Sequence, residues 1–118
     1  MPRRIAAFAL FVGLIGTSHA GAAVPKVKAT LSRTWSPSPV VITKGDQVIF
    51  SNPTSEVHDF KPYKGPWSNK TKIWLYEGDS VKKRFRKQGR YHYRCTLHSV
   101  MTDGICEGMC GLVRAKGA

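Results

Sequence analysis

Five side chains in this 118-residue sequence have the types and spacing to hold a soft metal ion: His58, Cys95, His98 and the methionines Met101 and Met109. Cys95-Thr96-Leu97-His98 brings a thiolate and an imidazole within reach of one ion, and His58 arrives from a separate loop after an earlier strand. A thiolate, two neutral imidazoles and one weak thioether are the donor set of a copper site that passes single electrons, whereas zinc prefers four strong nitrogen or sulfur donors. One copper ion is therefore the expected cofactor, with His58, Cys95 and His98 as the strong ligands. Spacing alone leaves open which methionine supplies the thioether. His92 alternates away from the face of Cys95 and His19 lies in the leader described below, so neither takes a role. A cysteine hydrolase built on Cys95 and His98 lacks both a third residue to orient the imidazole and a source for an oxyanion hole, so an enzyme is not expected.

Such ligands need a rigid frame, because donors that keep one geometry in both copper states lower the reorganisation that electron transfer requires. The frame is legible as short β-branched and aromatic runs separated by Gly, Pro, Asn and Asp, with no helix-length periodicity. Strands are expected over residues 27–35, 40–42, 47–51, 59–61, 73–76, 81–86, 90–95 and 111–114. Turns such as Lys44-Gly45-Asp46, Asn52-Pro53-Thr54 and Glu77-Gly78-Asp79 cut them apart. Seven or eight strands at this spacing predict an all-β Greek-key sandwich. The alternation in Tyr91-x-Tyr93-x-Cys95 gives that strand a wet face and sets Cys95 on the dry one. Residues 62–72 are polar and read as an excursion from the sandwich, and Trp35, Trp67 and Trp74 read as core or edge aromatics.

A chain that is 42% hydrophobic and 22% charged builds one globular domain and is too short for a multidomain oxidase or a capped repeat array. Met1-Pro2-Arg3-Arg4, the apolar run from Ile5 to Gly16 and the small residues Ser18-x-Ala20 and Gly21-x-Ala23 form the pattern of a signal peptide. Residues 1–20 are the expected leader, with cleavage after Ala20 or Ala23, and residues 21–118 the single domain. The apolar run falls short of the ~20 residues that span a bilayer. Export to the periplasm, cell envelope or exterior is thus expected, and an exported protein usually pairs its thiols. Three cysteines leave one over, and three pairings are formally possible. Cys106 and Cys110 lie in a Gly-rich segment where a small loop can close, with Cys95 then the odd thiol.

Lys and Arg number 19 against 7 Asp and Glu, a net charge of +12. The densest run is Lys82-Lys83-Arg84-Phe85-Arg86-Lys87, where strand alternation sets Lys82, Arg84 and Arg86 on the face opposite Val81 and Phe85. Its commonest use is a solvated strand edge that resists aggregation. Its functional use is a docking face for an acidic redox protein or an anionic envelope surface. Export argues against nucleic acid as a partner, and a monomer is expected.

Residues 38–115 resemble the plastocyanin/azurin family of cupredoxins, with plastocyanin and amicyanin the nearest in pattern. The likeness rests on Val41-Ile42-x-x-Gly45-Asp46-x-Val48-x-Phe50-x-Asn52 followed by His58, on Gly78-Asp79-Ser80-Val81, and most specifically on Gly89-Arg90-Tyr91-x-Tyr93-x-Cys95-x-x-His98. It implies a type 1 blue copper protein that shuttles single electrons between redox partners, with the His98 edge as electron port and Leu97 on the docking surface. It also favours Met109 as axial ligand, because Met109-Cys110-Gly111-Leu112-Val113 fits the family's Met-x-Gly-x-Val frame. Met101 fits only the short Cys-x-x-His-x-x-Met spacing of amicyanin. The chain departs from the family in placing ten residues between His98 and Met109, a long ligand loop that a Cys106–Cys110 disulfide would stiffen. The rival reading is a copper-binding or trafficking protein of the cell envelope, with the same ligands and no electron-transfer role.

Overall fold

The computed structural model describes residues 23–118, so the expected leader and its cleavage after Ala20 lie outside the described residues. Among the described residues nine strands form: β1 (Lys26–Ala29), β2 (Trp35–Ser36), β3 (Val40–Thr43), β4 (Gln47–Ser51), β5 (His58–Lys64), β6 (Ile73–Leu75), β7 (Ser80–Arg84), β8 (Gly89–Thr102) and β9 (Ile105–Lys116). They build two sheets, ordered β2-β1-β4-β7 and β3-β9-β8-β5-β6, without a helix among the described residues. The all-β sandwich expected from the alternation is the architecture found.

Apolar residues at every second position meet between the sheets. Val48 and Phe50 of β4, Phe60 of β5, Tyr91 and Tyr93 of β8, and Val113 and Ala115 of β9 are all buried. Aromatic rings dominate this core: the Phe50 and Phe60 centroids lie 4.3 Å apart, and Tyr93 sits 4.9 Å from Phe50 and 5.1 Å from Phe60. Large rings bury much apolar area at little entropic cost, which suits a small sandwich. Trp35 is part of this core, Trp67 closes its edge against Phe85 and Tyr91, and Trp74 lies half-exposed on edge strand β6.

Three departures from the expected strands matter for the site. Residues 27–35 are not one strand. The hydroxyls of Thr30, Ser32 and Thr34 gather within 3.5 Å of one another and turn the chain, with Arg33 at a φ of 59°. Such local side-chain bonding is how Ser and Thr compete with a ladder. The excursion begins only at Gly65, since Pro62 and Lys64 still pair with Tyr93 and His92. Most consequentially, the strands expected at 90–95 and 111–114 run on to Thr102 and begin at Ile105. The long ligand loop is therefore a β-hairpin, closed by Thr102 opposite Ile105. Asp103 and Gly104 at its tip both have positive φ, 52° and 79°, the turn whose twist matches that of the flanking strands.

Candidate metal centre

Four residues of β8, Cys95 to His98, lie between its ladder pairs Arg94↔Cys110 and Ser99↔Gly108, and only Met109 stands between the same pairs on β9. The mismatch forces these four residues out of the ribbon. Gly108 permits the close crossing: its φ is 102°, and a Cβ there would come within 2.5 Å of the His98 carbonyl oxygen. Ser99 then locks the protruding turn, its hydroxyl donating to the Cys95 carbonyl at 2.6 Å while Arg94 Nη1 donates to Ser99 Oγ at 2.8 Å.

His58, the first residue of β5, meets this bulge across the end of the sandwich. Its Nδ1 lies 3.8 Å from Cys95 Sγ, and His98 Nδ1 lies 3.5 Å from the same sulfur. One ligand atom from each of the three falls within 4.8 Å of the others. His58 and Cys95 are fully buried and His98 is partly exposed, so one imidazole edge reaches the surface. Burial, followed by the nearby His98 ring, holds the His58 pKa below its ordinary value, which keeps the ring neutral and able to donate a lone pair. Burial also raises the Cys95 thiol above its ordinary value. Metal binding must then displace a proton from sulfur, as it does at any thiolate site.

Buried polar groups fix the cysteine. The Asp59 N–H donates to Cys95 Sγ at 3.4 Å. The Asp59 carboxylate accepts the Thr96 N–H at 2.8 Å and the Thr96 hydroxyl at 2.5 Å, tying the ligand turn of β8 to β5. Sequence reasoning missed this clasp, although Asp59 directly follows one ligand and Thr96 the other.

The remaining candidates separate clearly. Met109 is fully buried in the core cluster that contains Cys95, whereas Met101 is only partly buried and pairs with Cys106 on the outer hairpin. Cys106 and Cys110 form a disulfide and Cys95 is the free thiol. The disulfide holds Cα atoms four residues apart at 6.2 Å, about half the ~13 Å of an extended strand, so β9 bends sharply around Met109. Gly111, which the motif frame singled out, lies against the Tyr93 ring, where a Cβ would come within 2.3 Å. Leu97 is 50% exposed beside His98, and Val100 and Ile105 continue an apolar rim along the hairpin.

Lys82 and Arg84 point outward from β7, the edge of its sheet, while Val81 and Lys83 share the inner side. Arg86 follows the strand and is exposed. This basic run points away from the ligands: Arg84 Nη1 donates to the Gly45 carbonyl, at the sandwich end opposite His58.

A carboxylate that sequence reasoning did not single out also faces both histidines. Glu56 Oε1 is 3.8 Å from His58 Nε2 and Glu56 Oε2 is 3.8 Å from His98 Nε2. Arg33 grips the same carboxylate with two hydrogen bonds, Nε to Oε1 at 3.1 Å and Nη2 to Oε2 at 2.5 Å. That contact, more than any other influence, holds the Glu56 pKa below its ordinary value. Arg33 lies 23 residues from Glu56, so no local pattern announces the pair.

No family model matches the sequence, and no curated protein does either. Solved structures do match. The purple cupredoxin from Nitrosopumilus maritimus is 20% identical, with a TM-score of 0.57 over 78% of this chain and 99% of that one. A reduced amicyanin variant is 17% identical, with a TM-score of 0.61 over 82% of this chain and 88% of the other. The Cu-containing nitrite reductase from Thermus scotoductus is 20% identical, with a TM-score of 0.63, and the match takes in 98% of this chain but 25% of that larger one. What this chain shares with them is the cupredoxin fold, and the thiol and two imidazoles gathered at its end fit one type 1 copper ion.

Proposed function

We propose that the protein is an exported electron carrier, whose single copper would be held by His58, Cys95 and His98 and, more weakly, by the thioether of Met109. The observation that carries this reading is one buried thiol facing two imidazole Nδ1 atoms at 3.5 and 3.8 Å, on elements fixed by the sandwich core. When bound, copper supplies one-electron chemistry between its cupric and cuprous states. The chain supplies the rest. The Asp59–Thr96 clasp and the Ser99 turn hold Cys95 in one place, burial excludes water, and the partly exposed His98 edge leaves a short path to a partner.

Two features support Met109 over Met101: it stands on β9 between the ladder pairs that flank the bulge, and it is fully buried in the cluster that contains Cys95. The apolar rim of Leu97, Val100 and Ile105 suits brief contact with a redox partner at the His98 edge. The basic run around Lys82, Arg84 and Arg86 lies on β7, the edge of the other sheet, and its part is steering and docking of an acidic partner and protection of an open edge. The basic and apolar start of the sequence is what supports export.

The test is the absorption spectrum of the copper-loaded protein. Cupric protein should show the intense thiolate-to-copper band, lose it in Cys95→Ser, and cycle reversibly with a one-electron reductant. A colourless cupric protein with Cys95 shown to be reduced would overturn the type 1 assignment. A coloured protein that cannot be cycled would favour copper trafficking instead.

A further inference from the structure

The feature left without a use is the carboxylate that faces both ligand histidines from outside. A neutral imidazole has one N–H and one lone pair, so a ring that offers its Nδ1 lone pair must carry its proton on Nε2. Both rings turn Nδ1 toward Cys95 and Nε2 toward Glu56. His58 Nε2 is buried without a hydrogen-bond partner, and a Glu56 oxygen is the anionic group it faces.

Glu56 is itself held in place from two directions. Asn52, fully buried, donates from Nδ2 to the Glu56 carbonyl at 2.7 Å and to the Leu75 carbonyl at 2.8 Å, and its Oδ1 accepts the Thr54 N–H and hydroxyl. Those bonds fix the backbone of the loop. Arg33 fixes the carboxylate, delivered from a turn in which it adopts a left-handed backbone that costs a non-glycine residue energy. A bidentate grip on one rotamer leaves the two oxygens divided, one to each imidazole.

We infer that Glu56, clamped by Arg33, is a shared positioning residue for the metal centre: a single carboxylate that keeps both histidines in the Nε2–H form, so that both Nδ1 atoms are free on the Cys95 side. The inference rests on the copper reading for its purpose but not for its structure, since the arrangement exists before metal binds. It also sets a negative charge beside both ligands, which favours the more highly charged cupric state. Metal-ligating histidines commonly donate their second N–H to a carboxylate or carbonyl, and loss of that partner costs about 10–100-fold in metal affinity. Here one carboxylate faces two rings, with each Nε2 3.8 Å from one of its oxygens, just beyond hydrogen-bond reach in the metal-free site.

Nitrogen-15 NMR of the imidazoles in metal-free, reduced protein, at a pH well above the ordinary histidine value, reads the tautomers directly. Wild type should show both His58 and His98 as Nε2–H, and Glu56→Gln should show a mixture at one or both. Arg33→Gln separates positioning from charge. Removing a cation leaves the Glu56 charge uncompensated, which would strengthen the preference if charge were all that mattered, whereas a loosened clamp weakens it. The inference expects weakening. By chelator competition, Glu56→Gln should lose about 10–100-fold in copper affinity, and its reduction potential should rise. Unchanged tautomers in folded Glu56→Gln overturn the proposal, as does a stronger preference in Arg33→Gln. A colourless copper protein that keeps the expected tautomer pattern would refute the electron-carrier reading and support this one.

Discussion

The two regions that bring ligands together are built in opposite ways. His58 opens a strand whose next residues, Asp59 and Phe60, are fully buried, so its position is inherited from the core as a whole. Cys95, His98 and Met109 sit where the β8–β9 ribbon stops pairing, held by a disulfide, a serine turn, a glycine at positive φ and the reach of Asp59 from β5. The first region is placed by burial and the second by local fasteners. Damage to the frame should therefore appear mainly as lost stability, and damage to the fasteners mainly as an altered site.

The largest effect expected is Phe60→Ala. This ring packs on Phe50, Trp35, Trp67 and Tyr93, and truncating a buried phenylalanine costs about 3–5 kcal/mol. Thermal unfolding of the metal-free protein should show the whole loss, while the surviving folded fraction keeps the copper spectrum. A small loss of stability with a changed spectrum would erase the distinction between the two regions.

Next comes Met109→Leu. Removing a soft donor that tunes the potential should raise the reduction potential and leave the colour, with stability little changed because leucine refills the buried volume. Met101→Leu, on the outer hairpin, should shift the potential little. Voltammetry that finds the larger shift in Met101→Leu would transfer the axial role to it.

A third effect sharpens the comparison from the side of the frame. His58 is held neutral in the fold, with its pKa below its ordinary value, chiefly because it is buried. Between its folded and unfolded pKa values the unfolded chain binds the extra proton, so stability rises with pH in that window. Metal-free protein should accordingly lose stability as pH falls below about 6.5, the unfolded histidine value. His58→Gln should flatten that loss, and an equally steep acid loss in the variant would assign it to other groups.

The smallest effect on stability belongs to the disulfide. It closes so short a loop that its contribution should lie near the bottom of the ~0–5 kcal/mol range. Replacing Cys106 and Cys110 together by Ser should barely move the melting temperature of the metal-free protein and should broaden or shift the copper band. A large drop in melting temperature would mean that the hairpin is part of the frame after all.

How much of this was legible in the sequence follows the same division. Alternation in Tyr91-x-Tyr93-x-Cys95 announced a buried cysteine, and the spacing to His98 announced its partner, because both signals are local. The hairpin from Ser99 to Cys110 was hidden by its glycines: Gly104 and Gly108 read as a loop, although Asp103-Gly104 is itself a hairpin turn signal. Gly108 proved to mark a crossing and Gly111 the seat of the Tyr93 ring. The Thr30–Thr34 turn was lost for a related reason, since Thr and Ser satisfy a strand pattern and a hydroxyl-bonded turn alike. Asp59 and Glu56 carry no spacing of their own, because their partners Thr96 and Arg33 lie 37 and 23 residues away.

Arg94 and Cys110 are ladder partners, so the ribbon is already closed at the point where the ligand turn leaves it. Everything between them, Cys95, His98 and Met109 included, is a cassette with fixed ends. An insert of another length need only return to the same pair, and for a flexible insert each doubling of length adds only about 0.6 kcal/mol of closure entropy. Colour and potential are in this sense exchangeable parts, mounted on a scaffold that need not be redesigned to receive them.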